Sequence, residues 1–531
     1  MRPLETDRVS IRATIWMNEH FFRMQENYVF RATMQISSHE LRDCRAYGGR
    51  RNAMTDVVIT TMGGGTQRYS ANELQQATGC RIITPDAEDY DERRAIWNGM
   101  IDKRPAAILV AKDEAGITAA VRFASANGLL MSLRSGGHNI AGMALCDSGL
   151  VLDMQDMKSV TVNPEARTAR VQPGASLGDV DRATQEFGLV VPTGINSTTG
   201  IAGLALGGGF GWVTRKYGLT VDCLKAVRLV TASGSIITAS KTENSDIFWA
   251  LQGGGGNFGV VTQFTFDLHC VGPEVFAGML VHPIADFPDV TRALQALVAD
   301  APDELTCWAV SRKAPPLPFV PEEWHGREVM VVPFCYIGDQ DSAKAATLGV
   351  RSIGNPIASH FGPMPFTDWQ TSFDPLLTEG ARNYWKSHDV AAFSDEAINI
   401  IHEAVNNLPS DECEIFFGHV GGAATRIPAD ATAWPNRQAH FVVNVHTRWQ
   451  DPADDGKCVQ WARNLFQALE PHAMGTRYVN FIPEGDEANN LEDAFGANLE
   501  RLVRIKEAAD PDNLFRTNIN LTRKVPAGVA G

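Results

Sequence analysis

An α+β fold in two parts is predicted by three features of the 531-residue chain. Short strand-like runs and amphipathic helical runs are mixed without a regular strand–helix–strand period, which argues against a doubly wound parallel sheet. Glycines crowd the loops between residues 134 and 259, where bare backbone can approach a ligand closely. After about residue 270 the glycine loops thin out, and long helical patterns alternate with strands, the mark of a second α+β unit.

Residues 1–71 carry scattered arginines (Arg2, Arg8, Arg12, Arg23, Arg31, Arg42, Arg45, Arg50, Arg51) without a clean apolar period, and Gly63 to Gly65 read as a flexible link. This predicts a poorly ordered extension, with Met54 or Met62 as a candidate start; a small helical cap is the other reading. From residue 72 the pattern changes. Ala106–Ala111 is a buried strand, and Asp113–Asn127 a helix with Ile117, Ala120, Val121, Phe123 and Ala124 on one side. Leu129–Leu133 and Leu150–Asp153 are strands, and Ser159–Val162 pairs with Thr168–Gln172 across an Asn-Pro turn. Leu177–Phe187 is helical. Ala226–Thr231 and Ile236–Ala239 form a hairpin, and Val260–Leu268 is a strand. Beyond 270, helices at Val290–Asp300, Asp395–Leu408 and Cys458–Leu469 alternate with strands at Val329–Cys335, Glu414–His419 and His440–Trp449. The tail from Leu491 to Ala508 reads as one helix.

Composition narrows the function classes. With 44% hydrophobic and 21% charged residues the chain is a soluble globular protein. A net charge of −15 without a basic stripe argues against nucleic acid and anionic membranes as partners. Nine widely spaced cysteines without a Cys-x-x-Cys argue against a disulfide framework or a zinc site. No apolar run reaches membrane-spanning length and no secretory signal is visible, so the expected compartment is the cytoplasm.

The segment Arg134-Ser135-Gly136-Gly137-His138-Asn139 follows an apolar strand. Arg134 offers a fork of donors suited to phosphate. His138 is held on a sharp turn, and neutral imidazole is a nucleophile. Taken alone, the same residues fit a polar loop with a hydrogen-bonded histidine. Gly254-x-Gly256-x-x-Gly259 has the letters of a dinucleotide fingerprint, but a helical segment precedes it and a strand follows, the reverse of the order that places phosphate on a helix N-terminus. No P-loop is present. Several separate glycine loops instead suit a long anionic cofactor with a diphosphate and a wide ring.

These residues resemble a known family. Arg134-Ser-Gly-Gly-His138-Asn139-x-x-Gly142, Gly203-Leu-Ala-Leu-Gly207-Gly208-Gly209-Phe-Gly211-Trp212, Gly256-Asn257-Phe-Gly259-Val260 and Pro511-Asp-Asn-Leu-Phe-Arg516-x-Asn518 look like the berberine-bridge-enzyme-like, FAD-linked oxidases of the vanillyl-alcohol-oxidase (PCMH-type) fold. The resemblance implies a bipartite FAD-binding domain, residues 72–272 plus a C-terminal segment 477–531, around a substrate domain, 273–476, whose antiparallel sheet is flanked by helices. It implies one covalent link, from His138 to the flavin 8α carbon. The second link of some relatives comes from a cysteine, and Asn196 stands at that place. Gly200 belongs to the same loop, and Thr199 matches the residue beside flavin C4a that influences oxygen access.

The implied chemistry is hydride transfer from a CH–OH or CH–NH donor of a small-molecule substrate to flavin N5, with oxygen as acceptor and peroxide as product. Tyr478, in Tyr478-Val-Asn480-Phe481, resembles the family's Tyr-x-Asn-Tyr segment and is the candidate base, provided its surroundings lower its pKa toward neutrality. It can equally be a packing residue with a satisfied hydroxyl. The family's glutamate base has alanine or threonine at its place within 427–437, which argues against alkaloid ring closure. Strict alternation in 439–449 sets His440, Val442, Asn444, His446 and Arg448 on one face. Asn444 and His446 then either line the substrate cleft or meet solvent. The rival readings are a dehydrogenase with another acceptor, a non-catalytic flavin-binding protein, and, more distantly, a metal hydrolase.

Overall fold

The apolar run Ala107–Val110 becomes an inner strand of a four-stranded sheet. In the computed structural model, which describes residues 56–485 and 491–522, this sheet has the order Arg81–Ile83, Ala107–Val110, Leu150–Asp153, Met131–Arg134. Its three apolar strands are parallel and the first is antiparallel to them. Parallel neighbours need a crossover, and the helix Glu114–Ala126 supplies one. Asp113 caps it by accepting from the Gly116 N–H, and Ile117, Ala120, Val121 and Ala124 are buried against the sheet.

A second sheet, antiparallel throughout, runs Ile236–Ser240, Leu224–Val230, Val260–Asp267, Thr168–Val171, Val160–Asn163. Its core of Val171, Val227, Leu229, Phe264 and Phe266 is shared with Phe258 and with the C-terminal residues Leu502, Ile505, Ile519 and Leu521. The tail is also pinned by polar atoms. The buried Lys506 Nζ donates to the carbonyls of Asn257 and Phe515 and to Asp510 Oδ2, at 3.0, 2.8 and 2.7 Å.

The third sheet is antiparallel and has eight strands. Seven lie in the order Ala358–Pro365, Glu274–Pro283, Glu328–Tyr336, Ala309–Lys313, Glu414–His419, Phe441–Trp449, Arg382–Val390, and Leu305–Cys307 adds to Glu328–Tyr336. Val443, Val445, Ile415 and Phe417 face the helices Phe287–Ala299, Asp395–Val405 and Asp455–Leu469. The opposite face, with Val310, Phe416 and Val442, joins Phe210, Trp212, Trp434 and Tyr478 in another core. The alternation along 441–449 is present, but every residue of the strand is buried, so its polar face meets protein and not solvent.

Three expectations are corrected. Residues 56–70 are not a loose extension: Asp56–Thr60 and Thr66–Ser70 form an antiparallel hairpin with Val57 and Ile59 in a core, and Gly63 to Gly65 are its turn. The remainder of that extension, residues 1–55, lies outside the described residues. The tail helix is broken into Leu491–Phe495 and Leu499–Ala509 by the 3-10 turn Gly496–Asn498, which Gly496 opens with a φ of +47°, the left-handed conformation that glycine tolerates. Finally, Glu274–Pro283, Ala309–Lys313, Ala358–Pro365 and Arg382–Val390 are strands that the pattern reading passed over; Arg382–Val390 is polar on both faces, so no apolar alternation marks it.

Candidate functional site

The strand Met131–Arg134 ends in the loop that carries His138. Gly137 turns there with φ +72°, and its carbonyl accepts from the Trp97 N–H at 3.1 Å. Among the described residues no protein acceptor meets the backbone N–H groups of Ser135 through Ala141, nor those of Gly200, Ala202 and Gly203. The two loops cross at van der Waals distance: a Cβ on Gly136 would lie 2.4 Å from the Gly200 nitrogen. A concavity of free N–H groups is an anion site. A cofactor diphosphate fits it.

Arg134 departs from expectation. Its guanidinium is buried and donates to the carbonyls of Arg93 and Ala95, so it props the 93–97 segment and is not a phosphate fork. That segment ends in Trp97, whose ring stacks on His138 at a centroid distance of 5.3 Å and 23°. Trp97 is fixed in turn by its Nε1, which donates to Leu377 O at 2.9 Å, and by its carbonyl, which accepts from Gly380 N–H at 3.0 Å. Arg134 therefore sets the angle of the histidine's neighbour.

His138 is flanked by two threonines. Its Nε2 lies 3.1 Å from Thr198 Oγ1 and its Nδ1 3.2 Å from Thr199 Oγ1. Burial disfavours the imidazolium and takes the histidine down to about 3. The ring is thus a neutral base with a lone pair. Thr199, expected beside flavin C4a, has its hydroxyl on the histidine. Asn196 accepts from Thr198 N–H and Oγ1–H and donates to Leu377 O.

The other glycine positions divide into two groups. At Gly203 and Gly256 a side chain would point into open space, so these faces are free for a ligand. At Gly142, Gly207, Gly208, Gly209, Gly211 and Gly259 protein atoms already stand where a Cβ would go: Ile101 at Gly142, Asn480 at Gly207, Trp434 and Tyr478 at Gly208, Thr220 at Gly209, the Thr193 carbonyl at Gly211 and the Val230 carbonyl at Gly259. Those glycines let chain pack on chain. Ser135 Oγ donates to Pro173 O, and Asn139 Oδ1 accepts from Met143 N–H. Trp212 is buried, stacked 4.2 Å from Trp308, and Val260 lies in a core. Asn257 Nδ2 donates to Ile519 O, tying its loop to the tail, and Asn518 donates to Phe515 O while its buried Oδ1 has no partner among the described residues.

An aromatic path joins His138 to the polar wall of the large sheet. Trp97 meets Trp385 at 5.5 Å, Trp385 meets Phe481 at 5.3 Å, and Phe481 meets Tyr478 at 4.8 Å. Tyr478 is buried, and its hydroxyl accepts from Gly209 N–H and Asn480 Nδ2, each at 2.9 Å. Burial pushes it up to about 12, the opposite of the shift a base at neutral pH requires. Trp385 also touches His446, 4.4 Å between centroids. His446 Nδ1 bonds Glu414 Oε1 at 3.0 Å, its Nε2 faces Asn383 Oδ1 at 3.4 Å, and Arg312 grips Glu414 at 2.8 Å. Asn444 pairs in register with Ser387, whose Oγ accepts from Tyr478 N–H, and its buried Oδ1 has no partner among the described residues. Trp97, Thr198, Trp385 and Glu414 leave no motif in the sequence because they are single residues on four separate segments.

Free N–H groups on two crossing glycine loops, a neutral histidine beside them and a sheet wall reached through Trp97 and Trp385 suit an FAD-binding protein of the PCMH type. Comparison with known proteins agrees. Residues 105–240 match the family model described as FAD binding domain, and residues 477–521 the model described as berberine and berberine like. An uncharacterized FAD-linked oxidoreductase of Bacillus subtilis is 31% identical over 454 residues, covering 84% of this chain and 97% of its own. The (R)-6-hydroxynicotine oxidase of Paenarthrobacter nicotinovorans is 28% identical over 454 residues, covering 83% and 96%. The solved structure of Physcomitrella patens BBE-like 1 superposes with a TM-score of 0.76 at 24% identity, covering 87% of this chain and 99% of that one. The chain belongs to the berberine-bridge-enzyme-like FAD-linked oxidoreductases.

Proposed function

We propose that this enzyme holds its FAD through one covalent bond from His138 and oxidises a CH–OH or CH–NH donor of a small molecule, with dioxygen as acceptor and hydrogen peroxide as product. The observation that carries the reading is His138 itself: a neutral imidazole, stacked on Trp97, at the edge of the free N–H groups of residues 135–141. When bound, the flavin supplies the two-electron acceptor; the chain binds, orients and excludes water. The N–H groups of Ser135 to Ala141 and of Gly200, Ala202 and Gly203 hold the diphosphate, and the open faces of Gly203 and Gly256 admit the rest of the cofactor. Asn196, where a second link would need a cysteine, leaves the link single.

On the substrate side, Tyr478 acts as a phenol. Two accepted hydrogen bonds fix its oxygen, and its own O–H remains to donate. Asn444 Oδ1 accepts a substrate O–H or N–H, which would satisfy its buried carbonyl. His446 stands between the acceptors Glu414 and Asn383 and orders the wall behind Asn444. The oxidase named among the relatives acts on a hydroxynicotine, which supports an oxidase acting on a small molecule here. Oxygen consumption with stoichiometric peroxide on addition of alcohols and amines tests the reading. Flavin reduced by a donor but reoxidised only by an artificial acceptor would replace it with a dehydrogenase, and flavin bleached by no donor with a binding protein.

A further inference from the structure

The turn Asn196–Thr199 decides which nitrogen of His138 carries a hydrogen. Asn196 Nδ2 donates to Leu377 O at 3.1 Å, and its Oδ1 accepts from Thr198 N–H at 3.0 Å. A flipped amide would face a carbonyl with its oxygen and an N–H with its nitrogen, so the orientation is fixed. Oδ1 also takes the Thr198 hydroxyl hydrogen at 2.7 Å. With its one hydrogen spent, Thr198 Oγ1 meets His138 Nε2 at 3.1 Å only as an acceptor. Nε2 therefore carries the ring hydrogen, and Nδ1 keeps its lone pair, to which the Thr199 hydroxyl donates at 3.2 Å. The turn is anchored from the sheet side, because Ser197 N–H and Oγ–H both donate to Asp374, three residues before Leu377.

We infer that Asn196 and Thr198 form a tautomer relay that presents Nδ1 of His138 to the flavin, with the place of a second covalent anchor given over to positioning the first. The inference rests on the covalent reading above. The bond forms between Nδ1 and the 8α carbon as one methyl C–H and the imidazole N–H are lost. The two protons and two electrons released pass to dioxygen, the co-oxidant, as hydrogen peroxide. Thr198 Oγ1 steadies the positive charge that the ring gains as Nδ1 is spent, and the Thr199 hydroxyl, with no other side-chain bond among the described residues, turns aside.

Two measurements on the purified flavoprotein test this. The flavin peptide of the wild-type protein is isolated and its substituted nitrogen assigned by NMR, with Nδ1 expected. Formation of acid-stable flavin is followed in Thr198→Val and Thr198→Ser. Loss of one directing hydrogen bond is expected to slow the valine variant by about tenfold, while serine restores the rate. Linkage through Nε2, or a valine variant that links as fast as wild type, overturns the relay while leaving the covalent reading intact. Wild-type flavin wholly released by acid overturns both.

Discussion

Covalent attachment to His138 should be nearly independent of pH across the range where an ordinary histidine titrates. Burial holds this imidazole at about 3, so at pH 5 about 99% of it is neutral, against about 3% of a histidine at its ordinary ~6.5. The reactive fraction at pH 5 is thus higher by about thirtyfold. Apoprotein from flavin-limited cells is mixed with FAD at pH 5 to 8, quenched in acid, and the yellow colour remaining on the protein is followed with time. The expected profile is flat. Trp97→Ala should break the flatness, because Trp97 stacks on the ring and shields it. Water reaching the imidazole moves it back toward its ordinary value, so the variant slows at pH 5 and changes little at pH 8. A wild-type rate that falls about tenfold for each pH unit below ~6.5 would refute the half-buried, neutral histidine.

Other consequences follow from single contacts. Lys506→Met leaves the Asp510 carboxylate buried and unpaired and should cost about 3–5 kcal/mol in denaturant unfolding; a loss within experimental error would contradict the tail's anchoring. Asp181 is buried, accepts from Gln370 Nε2 at 2.8 Å, and is raised to about 7 by burial. Its folded value lies above its unfolded ~3.9, so its contribution is complete below that value and is lost as pH rises to about 7. Asp181→Asn should therefore flatten thermal stability between pH 5 and 8, and parallel wild-type and variant curves would count against it. Gly136→Ala places a Cβ 2.4 Å from the Gly200 backbone and forces the two loops apart. The purified variant should be colourless, and a normally yellow one would show that the crossing is dispensable.

The parts of the fold that the sequence announces are those with a period or a punctuation mark. Ala107–Val110 and Leu150–Asp153 are unbroken apolar runs, Asp113 opens a helix, and Phe441–Trp449 alternates. Arg382–Val390 is hidden because its side chains pair across the sheet with polar partners, Trp385 with His446 and Ser387 with Asn444, so burial there does not demand apolar letters. In the site, His138 and its glycines form one local string and are legible. Arg134 is a different case. Its letters suit phosphate, yet its guanidinium turns inward to Arg93 and Ala95, a choice made by a segment 41 and 39 residues earlier. The triple glycine Gly207–Gly209 reads as a cofactor cradle, and it also admits the close approach of Asn480, Trp434, Tyr478 and Thr220, which lie elsewhere in the chain. Partners distant in sequence decide such roles, and no local pattern encodes them.

Denaturing the purified protein in acid, removing small molecules and digesting what remains decides whether His138 carries the flavin. The yellow colour is expected to stay with the protein, and the mass of one FAD to be added to the peptide containing His138, with none on the peptide containing Asn196. Colour released into the supernatant, or a flavin mass on any other residue, would contradict it.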